Sequence, residues 1–193
     1  MRYEERTSEE LMPLVASGDK RAFSCLMARH KCAVYGIAYR FFGNRAEAED
    51  VFQEVFLRVW RSAGSYTPTA KFSTWLYTIA ANQCKSELAS LWRKHIRLIG
   101  SLWSEEGQEV FTVSAPSSED IAARGEEAET VRRAIGALPP KQRLALILSR
   151  YEGLSYEEVG EAMQCSVASV ESLLFRARKT VQKNLRCMID SEG

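Results

Sequence analysis

Between Ser172 and Met188 the chain carries Arg176, Arg178, Lys179, Lys183 and Arg186 and no acidic residue. Cations at that density suit a polyanion, because each phosphate they neutralise releases a condensed counterion from nucleic acid. Ser166, Ser169, Glu171, Ser172 and Phe175 stand at the start of the same stretch, with Arg176 and Lys179 one turn on. Short polar side chains at the amino-terminal end of a basic helix can reach base edges in a major groove. A second constellation interleaves rings with cations and an amide: Lys71, Phe72, Trp75, Tyr77, Asn82, Lys85 and Ser86, followed by Arg93, Lys94, His95 and Arg97. Rings stack on unpaired bases while cations follow the backbone, which is how single strands are held without a groove. Phe72 and Trp75 fit equally well as core residues, and composition does not separate the two readings.

Enzyme chemistry has little support. There is no Walker loop, G-x-G-x-x-G, H-E-x-x-H or G-x-S-x-G string. Only His30 and His95 are available as imidazole bases, neither beside a carboxylate and nucleophile set. The five cysteines (Cys25, Cys32, Cys84, Cys165, Cys187) are odd in number and form no C-x-x-C pair, which points to reduced thiols and not to a disulfide framework or zinc ribbon. Cys25, His30 and Cys32 are close enough in sequence to consider as a metal or redox cluster, although small buried cysteines in helices are common. No metal site is expected.

These groups need helices to hold them. Runs of alternating Val, Ile and Thr between turns are missing, and helical spacing recurs along the chain, so the fold is expected to be all-α. Thr7-x-x-Glu10 has the form of a capping box, and Asn44-x-x-Glu47 offers a second cap after a glycine stop at Gly43. Phe23, Leu26, Met27, Val34, Ile37 and Ala38 space as one buried face; Val51, Phe52, Val55, Phe56, Val59 and Trp60 form another. Asp50, Gln53 and Glu54 fall between the latter and share an exposed face. Phe72 to Leu91 returns to helical spacing after a loop rich in Gly, Pro, Ser and Thr. Further on, Pro140 suits a first helical position, Leu144, Ile147, Leu148 and Tyr151 make an apolar face, Gly153 stops that helix and Ser155-x-x-Glu158 caps the next. A short turn at Cys165-Ser166 leads to a last helix with Val170, Leu173, Leu174, Ala177, Val181 and Leu185 inside. Two helices joined by a short turn, the second basic, have the layout of a helix-turn-helix.

Formal net charge is only +1 over 193 residues, but it is unevenly spread. From Ser104 to Glu129 eight acids face one base, Arg124, among Gly107, Pro116 and several serines. This reads as an acidic flexible linker, so two small helical domains are expected, at 1–99 and 127–193, joined by 100–126. A linker of that length could extend to about 85 Å. The longest apolar runs, such as Leu144 to Leu148, are far short of the roughly 20 residues that span a bilayer. With a charged start, MRYEERTSEE, no secretory signal is read and a cytoplasmic chain without membrane insertion is expected.

Specific strings then carry a resemblance. Ala48-Glu-Asp-Val-Phe-Gln-Glu-Val-Phe-Leu-Arg-Val-Trp60 and Phe72-Ser-Thr-Trp-Leu-Tyr-Thr-Ile-Ala-Ala-Asn82 resemble the first conserved domain of extracytoplasmic-function sigma factors of bacterial RNA polymerase. Ala137-Leu-Pro-Pro-Lys-Gln-Arg143, Gly153-Leu-Ser-Tyr-Glu-Glu-Val159 and Ser169-Val-Glu-Ser-Leu-Leu-Phe-Arg-Ala-Arg178 resemble their second. The resemblance implies that Asp50, Gln53 and Glu54 dock on core polymerase, and that Lys71, Phe72, Trp75, Asn82, Lys85 and Ser86 engage and open the minus-ten element, capturing a melted strand. It implies that Ser166, Ser169, Glu171, Ser172, Phe175, Arg176 and Lys179 read the minus-thirty-five duplex. It also implies no catalysis, no cofactor and an anti-sigma partner. Glu171 and Leu173 depart from the family pattern, which often has a basic residue and an arginine there, so promoter sequence does not carry over. The alternative is a dimeric helix-turn-helix regulator of a palindromic operator.

Overall fold

A computed structural model describes residues 2–100 and 126–191 of the chain. The expected linker falls almost wholly outside them. Eight α-helices and one short 3-10 turn make up the described residues, with no strand among them. Four helices form the first half: α1 (Ser8–Ala16), α2 (Lys20–Phe42), α3 (Arg45–Ser62) and α4 (Phe72–Gly100). Four form the second: α5 (Glu126–Gly136), α6 (Pro140–Arg150), α7 (Tyr156–Met163) and α8 (Val167–Ser191).

Local chemistry sets the ends. Thr7 accepts from Glu10 N at 3.2 Å while Glu10 Oε2 accepts from Thr7 N at 2.8 Å, so both capping-box bonds form. Asp19 caps α2 through Arg21 N and Ala22 N, bonds that hold its carboxyl below the usual range together with the Tyr3 hydroxyl. Gly43, at φ 71°, ends α2 in the left-handed conformation that glycine adopts without a Cβ clash. Asn44 caps α3 alone, through Ala46 N; Glu47 does not complete the box. Pro140 occupies the first turn of α6, and Ser155 and Glu158 form a second full capping box at α7. Gly160 lies where α7 meets the turn into α8: an added Cβ would come within 2.8 Å of the Cys165 carbonyl, so the turn can close only over glycine.

The faces anticipated from spacing are buried: Leu26, Val34, Ile37 and Ala38 on α2, Val51, Val55, Phe56 and Val59 on α3, and Leu144, Ile147 and Leu148 on α6. Tyr151 departs from that reading. It is 42% exposed, because the Arg40 guanidinium lies 4.4 Å from its ring and supplies a cation-π partner at the surface. α4 also runs two turns and more beyond Leu91.

The two halves rest on each other. α4 packs on α7 and α2 on α6, and one apolar cluster runs through both, joining Leu26, Ile37, Phe41 and Leu76 to Leu144, Leu148 and Val159. A smaller cluster, Ile135, Leu138 and Ala177, lies beneath α8. At the join, Arg143 is 2% exposed. Its guanidinium donates to the carbonyls of Phe41 (2.7 Å), Leu138 (2.9 Å) and Gly136. Burial lowers its pKa to about 10, and it remains charged.

Candidate nucleic-acid interface

α3 turns Asp50 and Gln53 to solvent, with Glu54 half-buried beside them. Glu54 is already paired, accepting from Arg58 Nε at 2.9 Å one turn along. Leu57, 41% exposed, extends this face. The combination is two free polar groups beside an uncovered aliphatic side chain, backed by Val51, Val55 and Phe56 in the core.

The residues singled out around α4 divide. Trp75 is half-buried, edge-on to Tyr66 with ring centroids 4.9 Å apart, and it opens with Ile79 and Asn82 onto a groove of about 520 Å³. Arg58, Arg61 and Ser65 form the facing wall. These three were missed by sequence reading. The only signal was the Arg58-x-x-Arg61 spacing at the end of α3, which nothing local connects to Trp75. Phe72, by contrast, is 1% exposed and touches His30, Tyr66 and Trp75. Its backbone N–H donates to Glu9 Oε1 at 2.8 Å, which seats the first turn of α4 on α1. That bond holds the Glu9 carboxyl below its ordinary value.

Three polar groups of this region face the second half. Lys71 Nζ donates to Glu158 Oε1 at 2.9 Å while its side chain stays 75% exposed. Lys85 Nζ lies 3.4 Å from both Asn82 Oδ1 and the Met163 carbonyl, and burial lowers its pKa. Tyr77 is buried with its hydroxyl 3.4 Å from Glu152; burial first, then the nearby carboxylate, push it up to about 12. Glu152 is itself pushed up by burial against the opposing pull of Arg40. Ser86 is exposed.

At the start of α8 and along it all seven expected groups, Ser166, Ser169, Glu171, Ser172, Phe175, Arg176 and Lys179, are exposed. Ser166 Oγ accepts from Ser169 N at 3.3 Å, capping the helix, and pairs with Ser169 Oγ at 2.9 Å. Phe175 is 68% exposed. Val170, Leu174 and Ala177 anchor the opposite side. Among the described residues no group of three His, Cys, Asp or Glu side chains could hold a metal ion; Cys32 is exposed and Cys25 partly so. No described helix is long and apolar enough to cross a membrane.

Two family descriptions match in chain order: Sigma-70 region 2 over residues 26–94 and Sigma-70, region 4 over residues 128–181. The RNA polymerase sigma-H factor of Pseudomonas aeruginosa is 34% identical over 189 residues, covering 96% of this chain and 97% of its own. The ECF RNA polymerase sigma-E factor of Escherichia coli K12 is 32% identical over 190 residues, covering 96% and 98%. Among solved structures, CnrH in complex with the cytosolic domain of CnrY superposes with a TM-score of 0.63 at 26% identity, over 95% of this chain and 97% of that one. The sigma factor RpoE bound to the anti-sigma factor NepR from Bartonella quintana shares the fold, with a TM-score of 0.60 at 23% identity over 85% and 96%. The chain therefore belongs to the sigma-70 family of RNA polymerase sigma factors, in its extracytoplasmic-function group. That family is not an enzyme class, and matches to both regions do not favour the reading as a dimeric regulator.

Proposed function

We propose that this chain acts in the cytoplasm as a non-catalytic subunit that brings core RNA polymerase to promoters of a signal-responsive gene set, with no cofactor and under an anti-sigma partner. The observation that carries the reading is the groove of Trp75, Ile79 and Asn82 opposite Arg58 and Arg61, on the same chain as a helix-turn-helix with an exposed polar and basic face. A ring, an amide and two guanidinium groups around an open groove suit a base taken out of the stack, with its phosphates held alongside. In this reading 1–99 is the unit for core binding and the minus-ten element, and 127–193 the unit for the minus-thirty-five duplex. Lys71, Lys85 and Ser86 would track the melted strand. Asp50, Gln53 and Leu57 would meet the polymerase, with Glu54 exchanging its Arg58 pair for an interfacial one.

Reconstitution of the purified chain with core polymerase on a genomic promoter library tests this. Core-dependent transcription from a defined promoter set is expected. Trp75→Ala is expected to lower opening roughly five- to hundredfold, the loss of one stacked base at about 1 to 3 kcal/mol. Binding of a palindromic site by the chain alone, with no affinity for core, would instead establish the dimeric regulator.

A further inference from the structure

α4 starts without a cap of its own. Its first residue is Phe72, so the capping position falls to Lys71, whose side chain donates and cannot accept from the free N–H groups of the first turn. The Lys71 carbonyl accepts from Thr74 N at 3.1 Å and from Trp75 N at 3.3 Å, so the first backbone bonds of the helix are also those that hold Trp75 in place. The missing acceptor comes from another helix. Glu9, in the first turn of α1 and 63 residues away, accepts from Phe72 N at 2.8 Å. A carboxylate at that point also meets the positive end of the α4 dipole. This bond, before any other, holds the Glu9 carboxyl below its ordinary value.

Both approaches to the Trp75 groove lean on the same helix. α1 packs against the 3-10 turn Ala63–Ser65, and Ser65 lines the groove. Beside Glu9, Ser8 is buried with its Oγ 2.8 Å from His30 Nε2, and Arg29 Nη1 donates to the same oxygen at 3.2 Å. Ring centroids then run from His30 to Phe72 at 5.0 Å and from Phe72 to Trp75 at 5.6 Å, with Tyr66 closing on Trp75 at 4.9 Å. The position of Trp75 is thus carried back, by one hydrogen bond and a chain of rings, to α1 and the first half of α2. α1 lies ahead of the stretch 26–94 that matches Sigma-70 region 2.

We propose that α1 is the seat of the strand-capture groove, with Glu9 a positioning residue that caps α4 from outside and so fixes Trp75 for the base it receives. The proposal rests on the reading of that groove as the site for a melted minus-ten base. Glu9 itself touches no DNA: it acts through the first turn of α4. Loss of a cap weakens the turn it holds by a factor of about five. Capture of a strand, which needs that turn formed, falls by up to the same factor.

The test uses holoenzyme assembled from core polymerase and the full chain in five forms: unaltered, Glu9→Ala, Glu9→Gln, Trp75→Ala, and Glu9→Ala together with Trp75→Ala. Affinity is measured for labelled single strands from the minus-ten region of a promoter that the unaltered holoenzyme transcribes. Core affinity is measured by competition, and the helical circular dichroism signal checks folding. Glu9→Ala is expected to bind the strand about fivefold more weakly at unchanged core affinity. Glu9→Gln, which keeps an acceptor oxygen, is expected to recover most of that loss. In the Trp75→Ala background Glu9→Ala is expected to cost nothing further, since both changes act through one ring. If Glu9→Ala fails to fold, Glu9→Leu, which fills the same space without an acceptor, takes its place. Unchanged strand affinity in Glu9→Ala, a loss shared in full by Glu9→Gln, or a loss that repeats in full on top of Trp75→Ala overturns the positioning role. So does an equal fall in core affinity, which marks a general defect of the first half. Failure of the underlying functional reading shows differently, as no core-dependent transcription by the unaltered chain, and removes this proposal with it.

Discussion

Arg143 gives the most direct quantitative test of how the second half is held together. Its guanidinium is 2% exposed and donates to three carbonyls, on Phe41, Gly136 and Leu138. Hydrogen bonds from a charged donor contribute about 1.5 to 3 kcal/mol each. Against them stands the burial that lowers the group to about 10, which costs roughly 3 kcal/mol. Arg143→Met keeps the length and apolar stem, removes the burial cost and leaves the carbonyls of Phe41, Gly136 and Leu138 without this donor. The balance is a net loss of about 2 to 5 kcal/mol, in line with the cost of removing one partner from a buried charged network. For a chain of this size about 3 kcal/mol lowers the melting temperature by roughly 6 to 12 °C. Arg143→Lys retains the charge but brings a single donor centre in place of a fork, and is expected to fall between the two. Thermal unfolding followed by circular dichroism measures both. A melting temperature for Arg143→Met within a degree of the unaltered chain would refute the account of Arg143 as the bolt between α2, α5 and α6.

Reversing charge on α3 with Asp50→Arg and Glu54→Arg is expected to weaken binding to core polymerase by several kcal/mol in a competition assay while leaving helicity intact, since neither side chain enters the core. Glu171→Arg, on an exposed position of α8, is expected to strengthen DNA binding generally and to shift preference at one minus-thirty-five base pair, a change of about 1 to 3 kcal/mol. A promoter library randomised at those positions, at fixed salt, measures it, and an unchanged profile means Glu171 does not face DNA. His30 lies 2.8 Å from Ser8 Oγ and against the Phe72 ring, and burial first, then Arg29, hold it below its ordinary 6.5. The folded chain therefore binds fewer protons than the unfolded one just below pH 6.5, and stability is expected to decline as pH falls from 6.5 through the lowered value. His30→Gln should flatten that part of a melting-temperature profile taken from pH 5 to 7.5.

What could be read from the sequence is what local chemistry decides. Thr7 with Glu10 and Ser155 with Glu158 form their capping boxes because each pair is three residues apart and answers to the same turn of helix. The buried faces of α2, α3 and α6 follow from spacing for the same reason. The surroundings of Phe72 could not be read, because a phenyl ring suits a core and a base stack equally and its packing depends on distant residues, such as Glu9, 63 positions away, which accepts from its backbone. Arg58 and Arg61 were missed since their relation to Trp75 exists only once α3 and α4 lie side by side. Tyr151 has the period of a core residue, yet Arg40, from the other half of the chain, makes a half-exposed position favourable to it.

The join between the halves shows the same limit in its strongest form. Arg132 reaches the Gly43 carbonyl across 89 residues, and Arg143 reaches that of Phe41 across 102. No periodicity, cap or motif connects such positions, because the acceptors are backbone carbonyls, which every sequence has. Helix ends make those carbonyls distinctive only after folding, when α2 stops at Gly43 and leaves its last turn without internal partners. Sequence therefore specifies the stop, and it specifies the arginines, but their meeting belongs to the packing.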